Sequence, residues 1–156
     1  MKTKDKELHR IAITCIIYND QGKYLVTKRS PNKKVHPNKW TVPGGGLNTN
    51  DYTSRAQTHG NAGWYGAVEE ALLREVREEV GVEIGKAKYL LDLTFIRPDG
   101  IPVLVLSYYA PYVFGEVKLD EDAVEYRWVS LEEAKGLDLI AGIYEELEEV
   151  ENLLKS

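Results

Sequence analysis

Three glutamates carry most of the chemical information in this chain. Glu75, Glu78 and Glu79 lie at positions i, i+3 and i+4, so a helix places them on one face. Like charges at that spacing cost about 0.2–0.5 kcal/mol per pair unless a positive group lies between them. Oxygen-rich sites of this kind suit Mg2+ or Mn2+, and magnesium often keeps coordination positions for water and a phosphate. The alternative is a solvated helix in which Arg74 pairs with Glu70 and Glu78.

The segment upstream of these glutamates favours the metal site. Residues 40–47 read Trp-Thr-Val-Pro-Gly-Gly-Gly-Leu, which predicts a short strand that runs into a glycine turn at Gly44–Gly46. Glycine lets the backbone bend sharply and approach a metal or a phosphate closely. Because a hydrophobic core does not require three consecutive glycines, we expect this turn to face the glutamates.

The glycine turn and the glutamate helix together resemble the Nudix box, the signature of the Nudix hydrolases. Its pattern is Gly, five residues, Glu, seven residues, Arg-Glu, an aliphatic residue, any residue, Glu-Glu, any residue, Gly and an aliphatic residue. Residues 74–82 fit the second half at every fixed position. In the first half, Arg74 follows Gly45 by twenty-nine positions instead of fourteen, so about fifteen residues are inserted.

The insertion leaves the first glutamate of the pattern without a fixed counterpart. Counting back along the second half leads to Gly66, whereas counting forward six positions from Gly45 leads to Asp51. Glu69 or Glu70 could also supply a carboxylate about one helical turn away. The inserted loop, residues 48–65, is interpreted either as a lid or specificity wall or as a surface excursion or dimer contact.

The resemblance implies a fold, an activity and a set of site residues. Nudix hydrolases form an α/β/α sandwich with a central mixed β-sheet, and they hydrolyse a nucleoside diphosphate linked to another group. The metal ligands for Mg2+ or Mn2+ would then be Glu75, Glu78, Glu79 and the carbonyl of Gly45. Arg74 would orient these carboxylates and would form the catalytic set with Glu75 and Glu78. The proton acceptor would be Glu75, Glu78 or an acid in the loop before Trp128, namely Glu121, Asp122 or Glu125.

The predicted substrate-binding residues lie around the glycine turn. Arg29 ends a strand pattern ahead of the turn, and its planar guanidinium matches phosphate oxygens. The set is completed by Gly44, Gly45 and Trp40, whose ring could stack on a base, although aromatic residues in strands usually belong to the core. Lys33 and Lys34 are interpreted as solvated charges.

The resemblance leaves several substrates and one other function open. The first hypothesis is hydrolysis of nucleoside triphosphates, including oxidised ones, with ADP-ribose or a nucleotide sugar as alternatives. The second is a nucleotide-binding sensor that retains the metal helix without turnover. Gly66 and the insertion motivate this sensor, while the complete glutamate trio favours the enzyme.

Composition is consistent with a small enzyme of one domain spanning residues 1–156. The chain is 43% hydrophobic, and its longest apolar run, residues 11–17, is too short to cross a bilayer. Residues 1–10 are too polar for a secretion signal, so we expect a cytoplasmic protein without membrane contacts. The net charge of −5 argues against stable nucleic-acid binding. The single cysteine, Cys15, is interpreted as a core residue, and a homodimer is compatible with the family.

Sequence periodicity predicts the elements that must position these residues. Strands are expected at residues 9–18, 24–29, 40–42, 89–96, 101–109 and 125–129, with hairpins at 19–22 and 98–100. The glutamate helix is expected over residues 67–80 and ends at Gly81 as a left-handed cap. A capping box at Ser130 begins another helix, and residues 143–154 form a final amphipathic helix. The order of these elements indicates a mixed α/β protein.

Overall fold

A computed structural model describes residues 5–156 and confirms the predicted α/β/α sandwich. The first four residues of the polar segment 1–10 lie outside the described residues. The elements are β1 (Arg10–Tyr18), β2 (Tyr24–Arg29), β3 (Trp40–Thr41), β4 (Gly44–Gly46), α1 (Ala67–Glu79), β5 (Glu83–Ile84), β6 (Lys88–Ile96), β7 (Pro102–Phe114), β8 (Ala123–Val129), α2 (Leu131–Ala134) and α3 (Ile143–Lys155). A 3-10 turn at Thr49–Asp51 precedes α1.

The mixed sheet is organised around β1, which runs parallel to β7 over nine paired positions. It also pairs antiparallel with β2 and β4, while β2 carries β3 and β8 and β7 carries β5 and β6. Alternate residues of β1 point to opposite faces of the sheet, so both faces need apolar side chains. This requirement explains the continuous apolar run of β1.

A helix covers each face of the sheet. Ile13 and Ile17 pack in one core cluster with residues of α1, including Leu72 and Val76. Ile16 points the other way and belongs to the second cluster, which includes residues of α3. Cys15 is fully buried in the first cluster, and burial raises the pKa of its thiol to about 12, which confirms it as a core residue.

Most predicted elements are confirmed, with changes at their ends. The helix α1 ends with Val80 as its C-cap, followed by Gly81 at a φ of 70°, the left-handed conformation expected there. The last long strand, β7, continues to Phe114 because it pairs with the short β5, which the sequence analysis missed. Two residues of β5 give too short a pattern to recognise from periodicity.

The prediction of a turn at Gly44–Gly46 was wrong, because these residues form the strand β4 antiparallel to β1. Each glycine has a close neighbour, which is backbone at Gly44 and the end of a side chain at Gly45 and Gly46. A Cβ on Gly44 would overlap the Ile13 carbonyl oxygen, and one on Gly45 would overlap the Glu75 carboxyl group. Three consecutive glycines therefore let the helix and the sheet approach each other at this strand.

Within residues 5–156, no helix is both long enough and apolar enough to span a bilayer. The assignment of residues 1–156 to one domain stays a prediction.

Candidate active site

The three glutamates predicted as metal ligands differ in their exposure to solvent. Glu79 is only 8% exposed, Glu75 is partly buried, and Glu78 is exposed. The difference arises because Leu72 and Val76 point into the core, which turns the neighbouring side of the helix toward β4. The glutamates thus run from the protein interior to its surface along one side of α1.

Arg74 links two of these glutamates to the glycine strand and to the inserted loop. Its Nη1 donates hydrogen bonds to Glu75 Oε1 at 2.9 Å and to Glu78 Oε2 at 3.0 Å. Its Nη2 donates to Asp51 Oδ2 at 3.1 Å, and its Nε donates to the other oxygen of Asp51. These bonds fix the guanidinium and, through it, two of the three carboxylates.

The sequence analysis considered three acids as substitutes for the first glutamate of the Nudix box. Of these, Asp51 is the one that the structure places beside Arg74. Its side chain is 4% exposed. Burial by itself would raise the pKa of Asp51, but hydrogen bonds from Arg74 and from the Asn48 amide outweigh this effect and lower it. In contrast, Glu70 accepts a hydrogen bond from Arg55 at 3.0 Å. Gly66 lies at the N-cap of α1 in a left-handed conformation that suits glycine.

A cavity of about 380 Å³ lies between α1 and the sheet, and we call it the glycine cavity. It combines oxygen-rich and cationic groups. Its lining consists of Arg10, Thr27, Arg29, Lys33, Gly44, Gly45, Gly46, Asn48, Glu75, Glu79, Asp122 and Ala123. The structure therefore brings together three of the four predicted metal ligands, all except Glu78, and the predicted phosphate ligand Arg29 in one concave site.

Acidic groups in a buried environment line the α1 side of this cavity. Burial raises the pKa of Glu79 to about 8; a hydrogen bond from the Gly44 amide opposes the shift, and the neighbouring Asp120 and Glu75 reinforce it. Burial also raises the pKa of Glu75, although Arg74 partly offsets this effect. Burial is the largest cause of both shifts, and a cation bound beside these groups would favour their ionised form.

The oxygen atoms that this cavity can offer are of the kind that a hard divalent cation prefers. Carboxylate oxygens of Glu75 and Glu79 line the cavity together with Gly45, whose backbone carbonyl is the fourth predicted ligand. Among residues 5–156, however, no three acidic, histidine or cysteine side chains converge closely enough to enclose an ion. Glu75 and Glu78 are instead held by Arg74, so the three glutamates would hold a metal only after a rearrangement of their side chains.

Arg29 and Lys33 form the cationic side of the cavity. Arg29 donates from Nε and Nη2 to the Val35 carbonyl at 3.0 and 2.8 Å, which fixes its guanidinium plane at the wall. Lys33 stays partly exposed, as expected of a solvated charge, and its Nζ also binds Asp122 at 2.7 Å while its side chain lines the cavity.

Trp40 is a core residue, and its predicted role in substrate binding is not supported by its position. It is 5% exposed and packs in the second core cluster, with the Arg127 guanidinium 5.0 Å above its ring. The physical reason is that β3 turns this indole away from the glycine cavity and toward the residues around α3.

The three acids in the loop before Trp128, which were candidate proton acceptors, lie in different surroundings. Asp122 lines the glycine cavity, whereas Glu125 pairs with Arg127 at the surface and Glu121 is exposed outside the cavity lining. The sequence analysis missed Asp120, whose pKa burial raises and which lies close enough to raise that of Glu79. It also missed Arg10, because only the pairing of β1 with β4 brings Arg10 to the glycines.

The inserted loop 48–65 is anchored to itself and to α1. Trp64 donates from Nε1 to the Arg55 carbonyl at 2.8 Å and packs on Tyr52 with ring centroids 5.2 Å apart. Arg55 in turn binds Glu70 of α1 at 3.0 Å and the Tyr65 carbonyl at 2.9 Å. Together with Asp51, these contacts make the loop a structural support of α1.

The structure has an α/β/α sandwich in which the glycine strand β4 faces the glutamates of α1, as the resemblance to the Nudix hydrolases implies. The chain belongs to the Nudix family, because residues 8–150 match the family described as NUDIX domain. The MutT protein of Methanosarcina mazei Go1 has a similar structure, with a TM-score of 0.73 and 26% identity over 98% of this chain and all of that one. The NUDIX domain of Shewanella oneidensis NrtR, solved with ADP ribose, also has a TM-score of 0.73, and the match covers 95% of this chain and 90% of that one. Because its sequence is only 16% identical, this likeness shows a common fold and nothing more.

Two of the curated relatives that the chain matches have different named activities. An isopentenyl-diphosphate Delta-isomerase of Klebsiella pneumoniae is 33% identical over 135 residues, which cover 83% of this chain. The chain spans 65% of the length of that isomerase. The nucleoside triphosphatase NudI of Escherichia coli is 28% identical over 137 residues, which cover 81% of this chain and 86% of NudI. A diphosphate group is common to the named substrates.

Proposed function

We propose that this protein is a metal-dependent pyrophosphohydrolase that cleaves a nucleoside triphosphate, oxidised or not, at its pyrophosphate linkage. The observation that carries the proposal is the glycine cavity, where Glu75 and Glu79 face Arg29 across a concave site. A pyrophosphate needs cationic contacts, while the glutamates would repel it unless a divalent cation reversed the local charge.

The residues divide into three roles. Glu75, Glu78, Glu79 and the Gly45 carbonyl would hold Mg2+ or Mn2+. When bound, the metal lowers the pKa of a water molecule and neutralises charge on the pyrophosphate oxygens. Arg74 positions Glu75 and Glu78, and Arg29 with the backbone of Gly44 and Gly45 binds phosphate oxygens. Asp122 joins Glu75 and Glu78 as a candidate proton acceptor because it lines the cavity.

The likeness to the isomerase supports a second candidate, the isomerisation of isopentenyl diphosphate. It rests on the 33% identity over most of this chain. The same glycine cavity would bind the diphosphate of either substrate. The alternatives predicted from the sequence, namely ADP-ribose, a nucleotide sugar and a sensor without turnover, belong to the same test. Cytoplasmic localisation and homodimer formation stay predictions.

A substrate panel with Mg2+ tests the proposal. It contains nucleoside triphosphates including oxidised ones, ADP-ribose, dinucleoside polyphosphates, nucleotide sugars and isopentenyl diphosphate. Phosphate release and product chromatography separate hydrolysis from isomerisation. Turnover of nucleoside triphosphates supports the proposal, whereas isomerisation alone identifies the second candidate. Tight nucleotide binding without turnover of any member identifies the sensor.

A matched pair of variants tests the site. Glu78→Gln removes one charge from the proposed metal ligands, so turnover should fall by orders of magnitude while the circular dichroism spectrum is retained. Glu148→Gln makes the same chemical change at an exposed position of α3 and should keep the wild-type rate. If both variants kept the wild-type rate, Glu78 would not be part of the catalytic site.

A further inference from the structure

The inserted loop carries a pair of opposite charges that matches a pair on α1. Asp51 and Arg55 lie four positions apart in the loop, within consecutive hydrogen-bonded turns at residues 49–55. Glu70 and Arg74 lie four positions apart on α1. Side chains at this spacing are neighbours on a helical surface. Spacing alone would therefore pair each arginine with the acid of its own segment.

The structure joins these four charges across the two segments instead. Arg74 donates to Asp51 from Nε and Nη2, and Arg55 Nε donates to Glu70 Oε2 at 3.0 Å. We call these two contacts the crossed pairs. Among residues 5–156, no ion pair joins Glu70 to Arg74 or Asp51 to Arg55. The inserted loop thus gives Arg74 a new acid and gives Glu70 a new base.

Of the two crossed pairs, the one made by Arg55 is the more exposed to solvent. The side chains of Arg55 and Glu70 are 32% and 52% exposed, whereas those of Arg74 and Asp51 are 30% and 4% exposed. Water and salt weaken an exposed pair more than a buried one. Without Arg55, the carboxylate of Glu70 would lie one helical turn from Arg74 and would compete with Asp51 for its guanidinium.

A change of partner at Arg74 would reach the proposed metal ligands. Its Nη1 donates to Glu75 at 2.9 Å and to Glu78 at 3.0 Å. The donors of a guanidinium lie in one rigid plane, so a new bond moves all of them together. Because Glu70 lies one turn before Arg74 and Glu78 lies one turn after it, a bond to Glu70 would draw the guanidinium away from Glu78.

We propose that Arg55 is a positioning residue that keeps Glu70 away from Arg74. Asp51 then remains the partner of Arg74, and the inserted loop controls the geometry of α1 through one exposed ion pair. The inference rests on the proposed function, to which it adds a residue that is not part of the lining of the glycine cavity. Arg55 therefore acts on the reaction through Arg74 and not by contact with the substrate.

Steady-state kinetics with Mg2+ and the triphosphate that the substrate panel identifies test this role. Arg55→Gln removes the guanidinium but keeps the backbone carbonyl that accepts a hydrogen bond from Trp64, so the loop should keep its packing. The kcat of this variant should fall about tenfold, within the usual range for residues that orient a metal ligand, while KM stays unchanged. Arg55→Lys retains the charge and should keep most of the rate.

A double variant separates positioning from simple support of the loop. Glu70→Gln in the Arg55→Gln background removes the competing carboxylate, so kcat should return close to the wild-type value. Support of the loop would not return, because the double variant lacks both charges of the pair. Arg77→Gln is the matched control, since it removes an exposed arginine of the same helix that pairs with Glu83, and it should keep the wild-type rate. A double variant as slow as Arg55→Gln, or a wild-type kcat in Arg55→Gln, overturns the proposal.

The side-chain NMR signal of Arg74 gives a readout that needs no turnover. In protein with isotope-labelled arginine, the Nε–H signal of Arg74 is assigned by its absence from Arg74→Lys. It should shift in Arg55→Gln and return in the double variant, because Nε donates to Asp51 as long as Glu70 does not compete. This pattern without hydrolysis of any triphosphate would refute only the proposed function. An unshifted signal in Arg55→Gln would overturn the positioning role and leave hydrolysis standing.

Discussion

Replacing Asp51 with asparagine should destabilise the protein and impair its active site together. The Asp51 side chain is 4% exposed and accepts hydrogen bonds from two nitrogens of Arg74, whose own side chain is 30% exposed. Breaking a fully buried ion pair costs about 3–5 kcal/mol. Arg74 is partly exposed and keeps Glu75 and Glu78 as partners, so we expect a smaller loss of about 1.5–3 kcal/mol.

Thermal unfolding followed by circular dichroism measures this loss. For a chain of this size, the expected decrease in Tm is about 3–12 °C. Glu125→Gln is the matched control, because Glu125 and Arg127 form a pair that is about half exposed on both sides. Such pairs contribute about 0–1 kcal/mol. In steady-state assays, Asp51→Asn should also lower kcat, because Arg74 would lose the partner that fixes its position beside Glu75.

The pH dependence gives an independent test of the same contact. The pKa of Asp51 is lowered in the folded state, so its stabilising contribution is complete above the ordinary pKa of about 3.8 and disappears as the pH falls through the lower folded-state value. The stability difference between the wild type and Asp51→Asn should therefore be full at pH 7 and shrink at pH values below 4. A variant as stable at pH 7 as Glu125→Gln would refute the reasoning.

Three further changes probe the glycine strand, the metal ligands and the buried Glu146 of α3. Gly45→Ala should sharply reduce kcat, because its Cβ would overlap the Glu75 carboxyl group, whereas Gly136→Ala, which meets only an ordinary contact, should keep the wild-type rate. Mg2+ should raise the Tm of the wild type, because a metal concentration of a hundred times Kd increases the free energy of unfolding by about 2.7 kcal/mol. Equal Tm shifts in the wild type and in Glu79→Gln would exclude Glu79 as a metal ligand. Glu146→Gln should gain stability relative to the wild type as the pH rises, because a raised folded-state pKa means that the wild type loses stability from about pH 4.5 upward through that value. Urea denaturation at pH 5 and pH 8 measures this gain, and a pH-independent difference would show that the pKa of Glu146 is not raised.

The sequence by itself determined the local features of this protein. Spacing along one helix places Glu75, Glu78 and Glu79 on one side of α1, and the left-handed cap at Gly81 follows from the need for glycine at positive φ. Periodicity likewise predicted a strand over residues 9–18, which the structure has as β1 (Arg10–Tyr18). These features depend on residues close together in the chain, so periodicity and turn chemistry are sufficient to predict them.

Only the tertiary structure decided which distant residues meet. The pairing of β1 with β4 brings Arg10 to the glycines, and the folding of the inserted loop brings Asp51 to Arg74 across twenty-three positions. Trp40 was assigned to the substrate site as an aromatic side chain that could stack on a base, yet the orientation of its strand buries it in the second core cluster. Such contacts depend on strand register and loop closure, which are set by packing over the whole fold and leave no periodic signal in the sequence.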